Sequence, residues 1–342
     1  MTRPDRDQKV GTALRGTRVF VTGGSGFIGR AVCRLLLGNG AEVLNFDLRP
    51  WAAGDPGPRT LIGDIEDYGA LEDTCRDFDP TVFIHLAAFA SIDATTRSDF
   101  SSIWNGTRSA AAAFAAATSP RRFVNISTQL VIGPGPQPTN LLAYEPYTAY
   151  GEAKTEAEEY LRGFPRPYEV VHVRPVTIWG PHHPTFAGSI MRYIDKGWYL
   201  HPVAGKPIIR SYGYVDNCAG QIVSVGFSDE VVDGDVYYAG DGAIDSAEFL
   251  DGISLALRGK PVHRLPLGLL RGMGAFGTFA RRMGVPFPLD RERVMRMSTD
   301  YIVPLDAMQR VMAFNPVPFE VGMKRTAQWY KSGAGVRWEP QS

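Results

Sequence analysis

Six short runs rich in Val, Ile, Leu and Phe recur through the first half of the chain, at 18–22, 42–47, 60–63, 82–86, 122–127 and 169–174. Most are apolar along their whole length, the pattern of strands covered on both faces. Segments 29–37, 68–78, 98–118 and 150–162 lie among them and carry helical character. Strand and helix in alternation predict an α/β protein with a doubly wound, Rossmann-type parallel sheet. Alanine fills most of 110–117, a smooth face that lets a second helix approach closely. Beyond Trp179 the pattern loosens: Gly180, Pro181, Pro184, Gly188, Pro202, Gly205 and Pro207 break it into shorter elements of a smaller C-terminal lobe. Run 236–240 predicts one more strand that returns to the sheet. Segment 265–289 is apolar and Gly-rich, with Arg271, Arg281 and Arg282. Its glycines and prolines argue against one long amphipathic membrane-surface helix and predict a wall or lid of the smaller lobe.

Composition narrows the class. With 36 Lys and Arg against 36 Asp and Glu, the formal net charge of this 342-residue chain is zero. That balance predicts no electrostatic footprint for nucleic acid or an anionic membrane. Cys33, Cys75 and Cys218 are scattered and odd in number, which excludes a disulfide framework or a Cys-rich zinc site and fits a reducing compartment. Neither a signal-peptide core nor a run of ~20 apolar residues is visible, so a cytoplasmic protein without a membrane span is expected. His182 and His183 are adjacent on a Pro-flanked loop, read as solvated and not as metal ligands; no metal is expected.

Run 18–22 leads into Gly23-Gly24-Ser25-Gly26-Phe27-Ile28-Gly29 and then a helix. Glycines at 23, 26 and 29 permit a tight turn and let a pyrophosphate approach a helix N-terminus, where free N–H groups and the dipole favour anions. Strand, glycine loop and helix in that order are the context a dinucleotide fingerprint needs. The second strand ends in Asp47, whose carboxylate suits both ribose hydroxyls and repels a 2′-phosphate, so NAD is expected over NADP; Arg49 is the residue that would counter it. Asp64, at the tip of the third strand, either meets the adenine amino group or caps the next turn.

Tyr150 and Lys154 are four residues apart, hence on one helix face. An adjacent ammonium favours phenolate and makes a tyrosine a usable acid or base near neutrality. The pair follows the fifth strand, which ends Asn125-Ile126-Ser127-Thr128, and strand ends of such sheets are where ligands bind. His85, also at a strand end, reads as a packed, hydrogen-bonded histidine.

TGGSGFIG, Asp47, GDI, HLAA (85–88), NGT (105–107), STQLVIG (127–133), YTAYGEAK, VRPVTIWGP (173–181) and RSYGYVDN (210–217) occur in that order. Together they resemble the extended short-chain dehydrogenase/reductase superfamily, in its NAD-dependent epimerase/dehydratase (nucleotide-sugar) group, from about residue 17 to 329. The resemblance implies a polar tail over 1–16, an NAD-binding domain over 17–177 whose sheet is completed by about 211–240, and a substrate lobe over most of 178–342. It implies Tyr150 as acid/base, and Lys154 holding the nicotinamide ribose and depressing the Tyr pKa. Thr128 would be the hydroxyl partner, with Ser127 as the fallback. The implied cofactor set is Gly23, Ser25, Gly26, Phe27, Ile28, Gly29, Asp47, Asp64, Ile65, Leu86, Ala87, Ala88, Asn105, Tyr150, Lys154 and Pro175. The implied substrate set is Ser91, Thr128, Tyr150, Thr177 and Arg210, the arginine gripping a substrate diphosphate. A homodimer is expected through helices 98–118 and 150–162, with alanines 110–117 supplying the close approach.

Departures matter. Sugar 4,6-dehydratases of this group carry Asp-Glu directly after the catalytic Thr; Gln129 and Leu130 stand there and neither transfers a proton. Ile132 replaces the usual Tyr before Gly133, and Thr177 replaces a common Asn. The implied activity is an NAD-dependent epimerase or oxidoreductase acting on a nucleotide-diphosphate sugar. Asn217 and segment 265–289 favour instead a 3β-hydroxysteroid-type dehydrogenase. A third alternative is a non-catalytic NAD-binding regulator, against which the intact Tyr150, Lys154 and Thr128 argue.

Overall fold

The computed structural model describes residues 13–89, 96–135, 137–183 and 186–333. Strands β1 (Arg18–Thr22), β2 (Glu42–Asp47), β3 (Arg59–Ile62), β4 (Val82–His85), β5 (Arg122–Ile126) and β6 (Glu169–Pro175) match the six apolar runs to within a residue. The chain then forms β7 (Thr177–Trp179), β8 (Leu200–Val203) and β9 (Ile209–Tyr214) before β10 (Val236–Ala239) returns to the sheet, followed by β11 (Gly242–Asp245) and β12 (His263–Pro266). The main sheet has the order β10-β6-β5-β4-β1-β2-β3, and all its pairings are parallel. Strand order reverses between β1 and β4, which opens a crevice at their carboxyl ends. A smaller sheet, β11-β9-β7, and the β12-β8 pair build the second lobe.

Helices α1 (Phe27–Gly38), α2 (Tyr68–Phe78), α3 (Ser101–Phe114) and α4 (Ala149–Gly163) belong to the first half. Beyond them run α5 (Arg192–Asp195), α6 (Val215–Phe227), α7 (Ser246–Arg258), α8 (Leu267–Arg282), α9 (Arg291–Met297), α10 (Asp306–Val311) and α11 (Phe319–Lys331). Because side chains alternate across a strand, β1 sends Val19 and Val21 to one face and Phe20 to the other. The valines join Val32 and Leu36 of α1 and Ile222 and Val223 of α6. Phe20 joins Phe83, Phe123, Leu71 of α2 and Leu161 of α4. Helix α6 is buried along its whole length apart from Asp216, which is why residues after the smaller sheet's β9 belong to the first body.

Several expectations change. The presumed tail does not reach residue 16: Leu14 is wholly buried in the core, and Gly16 N–H donates to Gly40 O at 2.9 Å. The helix expected over 98–118 divides into a 3-10 turn, Arg97–Phe100, closed by a Thr96/Asp99 capping box, and the shorter α3. Three of its alanines are used inside the subunit: Ala110, Ala111 and Ala113 are fully buried against Leu71, Phe83 and Phe123, while Ala115 is exposed. Segment 265–289 does contain one continuous helix, α8, which runs through Gly268, Gly272, Gly274 and Gly277. Its inner glycines are required by close packing: a Cβ at Gly277 would lie 1.8 Å from Leu289 O. His183 is not solvated; its ring packs on Phe27, centroids 4.6 Å apart, and its Nδ1 accepts the Phe186 N–H at 3.1 Å.

Three buried histidines make the fold sensitive to acid. Burial pushes His85 down from 6.5 to about 3, and His172 and His201 to about 4. They stay neutral in the fold, while the unfolded chain takes up protons below about pH 6.5. The stability they confer is therefore present above that pH and is lost as pH falls toward 4. Calorimetric melts should give a level Tm between about pH 7 and 8 and a steady fall below about 6.5; a Tm that stays level down to about pH 5 contradicts this.

Candidate active site

The glycine loop sits where β1 and β4 part. Gly23 has φ +74°, and a Cβ there would lie 2.6 Å from Ala87 N, so only glycine lets the loop pass the end of β4. Gly29 is as constrained, since its Cβ would lie 2.2 Å from Gly23 O. Helix α1 begins after Gly26 with no side-chain cap and no acidic residue in its first turn. Its N–H groups are thus left for an anion, as a pyrophosphate requires. Ser25, Phe27 and Ile28 line this turn; Leu86, Ala87 and Ala88 continue from β4 beside it, with Leu86 N–H donating to Thr22 O at 3.0 Å. The residues of this cradle fit a dinucleotide.

At the ribose end, Asp47 is buried and already oriented. Its carboxylate accepts Ser25 N–H at 2.9 Å and Arg49 N–H at 3.0 Å. Arg49 Nε stands 4.0 Å away on a side chain that is 58% exposed, too solvated to offset a carboxylate fixed by two amides. Sequence reading missed Asn45, fully buried within β2, whose Oδ1 accepts Gly24 N–H at 2.8 Å and whose amide donates to Ser25 Oγ and Thr60 Oγ1. A polar residue inside the run Val43-Leu44-Asn45-Phe46 was the available signal. Asp64 is exposed and its Oδ1 accepts Glu66 N–H, the capping alternative. Ile65 is buried beneath Gly106, whose Cβ would meet it at 2.7 Å. Asn105 is turned to Glu66, donating to its Oε2 at 2.8 Å, so the structure gathers it with the loop after β3. Ser91 lies outside the described residues.

The catalytic candidates converge on the end of β5. Thr128 Oγ1 caps the 3-10 turn Gln129–Val131 by accepting Leu130 N–H at 3.2 Å. The start of α4 is pressed onto this turn: a Cβ at Gly151 would lie 2.3 Å from Leu130 O. Thr148 caps α4 by accepting Gly151 N–H at 3.0 Å, which fixes where Tyr150 and Lys154 emerge. Lys154 donates to Ile126 O, the last residue of β5, at 2.7 Å. Burial pushes its ammonium down to about 8, although Glu158 pulls the other way. Tyr150 packs against Phe100, ring centroids 6.0 Å apart. Its pKa departs from expectation: burial pushes the phenol up from 10. His85 is a packed residue, as read, with Nδ1 2.9 Å from Thr22 Oγ1 and Nε2 3.2 Å from Thr107 Oγ1.

One turn beyond Lys154 lies Glu158, unassigned by sequence reading and wholly buried. It takes both Nε and Nη2 of Arg174, at 2.9 and 2.7 Å, and accepts the Tyr144 hydroxyl at 2.9 Å. Burial opposes its charge, yet the Arg174 hydrogen bonds hold it down near 2. Arg174 also reaches Leu141 O, and it precedes Pro175 at the end of β6. Thr177 Oγ1 accepts Gln129 Nε2 at 3.2 Å, which keeps its own O–H available to donate. Arg210, on β9, donates Nη1 to Arg296 O at 2.5 Å, while its buried Nε finds no partner among the described residues. Tyr301, also missed, closes the site from the far lobe, its hydroxyl shared between Gln129 O at 2.7 Å and Ile132 O at 2.5 Å.

Comparison with known proteins bears on the family and the fold. The sequence model of the NAD dependent epimerase/dehydratase family matches residues 19–233. The chain is 28% identical over 281 residues to the 4-hydroxy-2-methyl-3-oxo-4-farnesyl-3,4-dihydroquinoline-1-oxide ketoreductase of Stigmatella aurantiaca, spanning 79% of this chain and 82% of that protein. It is 24% identical to the UDP-glucose 4-epimerase of Vibrio cholerae, over 91% of this chain and 94% of that one. Its fold superimposes with a TM-score of 0.70 on the UDP-glucose 4-epimerase of Thermus thermophilus, solved in complex with NAD, at 22% identity over 92% and 99% of the two chains.

Two outcomes follow from the geometry. Titration calorimetry should find NAD bound at least about tenfold tighter than NADP, because the fixed Asp47 carboxylate would face a 2′-phosphate; equal affinities would transfer control of the ribose pocket to Arg49. Gly151→Ala should cost about 1–3 kcal/mol in denaturant titrations and sharply lower turnover, since backbone and not a flexible side chain must move. An alanine variant with unchanged stability and rate would show that α4 does not press on the Thr128 turn.

Proposed function

The chain belongs to the NAD-dependent epimerase/dehydratase family, enzymes of the extended short-chain dehydrogenase/reductase type that use NAD, and we propose that it acts as an epimerase or oxidoreductase on a nucleotide-diphosphate sugar. The observation that carries this reading is Arg210. Its Nε is buried and unpartnered among the described residues, and a planar guanidinium with donors to spare suits two phosphate oxygens. Two features that favour a steroid-type substrate have other uses here. Asn217 donates to Asp241 Oδ1 at 2.9 Å and accepts Val317 N–H at 2.7 Å, a packing role inside the lobe. Leu269, Phe276 and Phe279 of α8 point to solvent. The ketoreductase relative keeps a lipophilic carbonyl substrate as the second reading.

NAD would lie along the glycine turn, with Asp47 at the ribose hydroxyls and Lys154 near the second ribose; bound there, it supplies a hydride acceptor and donor at a carbon of the sugar. Tyr150 exchanges the proton of the hydroxyl on that carbon. Its phenol is raised by burial, so it holds its proton at neutrality and is suited to donate to a carbonyl oxygen, while removing a proton needs positive charge nearby. Lys154, charged below about pH 8, is the chain's own source of that charge. Thr128 hydrogen-bonds the same oxygen and holds it against Tyr150. Gln129 and Leu130 offer no acid or base at the neighbouring carbon, which disfavours a 4,6-dehydratase.

UDP-, GDP-, CDP- and dTDP-sugars, scored for NADH absorbance and for product by NMR, decide between epimerisation and net oxidation. With the responding sugar, Tyr150→Phe should lower turnover about 10²–10⁴-fold with NAD binding intact. Arg210→Ala should weaken sugar-nucleotide binding and leave NAD binding alone. If no sugar nucleotide turns over and a lipophilic ketone does, the second reading replaces the first.

A further inference from the structure

Helix α8 is inverted relative to an ordinary surface helix. Apart from Leu270, its buried residues are small: Gly274, Gly277 and Ala280. The two glycines let it settle onto α9 and the preceding loop, where Cβ atoms would meet Val294 at 2.9 Å and Leu289 O at 1.8 Å. Its outward stripe is large and apolar. Leu269, Phe276, Phe279 and Met283 are 59%, 60%, 62% and 69% exposed, and their spacing of seven, three and four residues places them on one line. Val285, just past the helix, extends the patch at 54% exposed. A soluble helix normally buries its larger apolar residues, so this stripe marks an interaction surface.

Charge selects the occupant. Arg271 and Arg282 border the stripe and make no ion pair among the described residues. Residues 258–297 hold nine Lys or Arg against two Asp or Glu, a surplus of seven in a chain whose total is zero. The balanced composition thus conceals a basic segment around α8 and α9. A second copy of the same basic face would be repelled, and a groove for a neutral partner would not need the arginines. Apolar rings bordered by cations match the boundary between acyl chains and anionic headgroups. The 16-residue helix is too short to cross a bilayer, and no described helix is long and apolar enough to do so. We propose that α8 is an interfacial helix that docks the substrate lobe on anionic phospholipid membranes, with Leu269, Phe276, Phe279 and Met283 entering the acyl boundary.

The test is sedimentation of the full chain with sucrose-loaded vesicles, either phosphatidylcholine alone or with about one-third phosphatidylglycerol. Binding should need the anionic lipid, weaken as salt rises, and fall at least about tenfold in Phe276→Ser/Phe279→Ser and in Arg271→Glu/Arg282→Glu. Both pairs are exposed and lie outside the candidate active site, so Tm and NAD affinity should not change. No binding by the native chain to anionic vesicles overturns the proposal, as does equal binding by the serine variant. A native dimer that the serine variant dissolves, without vesicle binding, would assign the face to a second copy instead.

Discussion

A buried ion pair between two elements sets the geometry on which the candidate chemistry depends. Glu158 of α4 and Arg174 of β6 are both wholly buried and joined by two hydrogen bonds. Removing two charges from water costs several kcal/mol each, and only near-complete hydrogen bonding offsets that. Here the remaining capacity is taken up: Tyr144 donates to the carboxylate, while Leu141 O and the Tyr238 hydroxyl accept from the guanidinium. The pair therefore ties four pieces together, namely α4, the segment leading into it, β6 and β10. Tyr150, Lys154 and Glu158 succeed one another at single-turn intervals along α4, so fixing the last fixes the rotation and depth of the first two. Glu158 also supports the charge of Lys154, which burial alone would push down further.

The second constraint is steric and acts at the opposite end of the same helix. Gly151 brings α4 against Leu130 O, and Gly23 brings the dinucleotide loop against Ala87. Ion pair and glycine contact together leave α4 little freedom to slide, one holding it to β6 and the other to the turn after β5. Such contacts meet part of the need for preorganisation.

How much of this was legible depended on whether a feature is local in sequence. The glycine turn, Asp47, Tyr150 with Lys154 and the seven strands could all be read, because each rests on a short spacing or an apolar run. Asn45 was legible in principle as a polar interruption of β2. Glu158 and Arg174 were not, since a carboxylate on a Glu-rich helix looks solvated until the fold shows which face is inward. Tyr301 meets Gln129 across 172 residues, and no periodicity reports such a contact. The alanine stretch was legible as a close-packing surface, but composition does not say which neighbour fills the space, and Ala110, Ala111 and Ala113 pack inside the subunit. In α8 propensity misled: glycines that weaken an isolated helix are here the condition for its packing on α9.

The two lobes are coupled through backbone carbonyls as well as through side chains. Arg210 is held by Arg296 O at the end of α9, and Tyr301, a few residues later, is held by Gln129 O and Ile132 O beside Thr128. Tyr301 also pairs with β9, exchanging hydrogen bonds with Ile209 and Ser211 on either side of Arg210. A displacement of α9 would thus be transmitted to Arg210 directly, and to the Thr128 turn through Tyr301. Helix α8 rests on α9 through Gly274 and Val294. The basic, apolar surface of α8 and the turn at Thr128 are therefore connected by a short series of tight contacts.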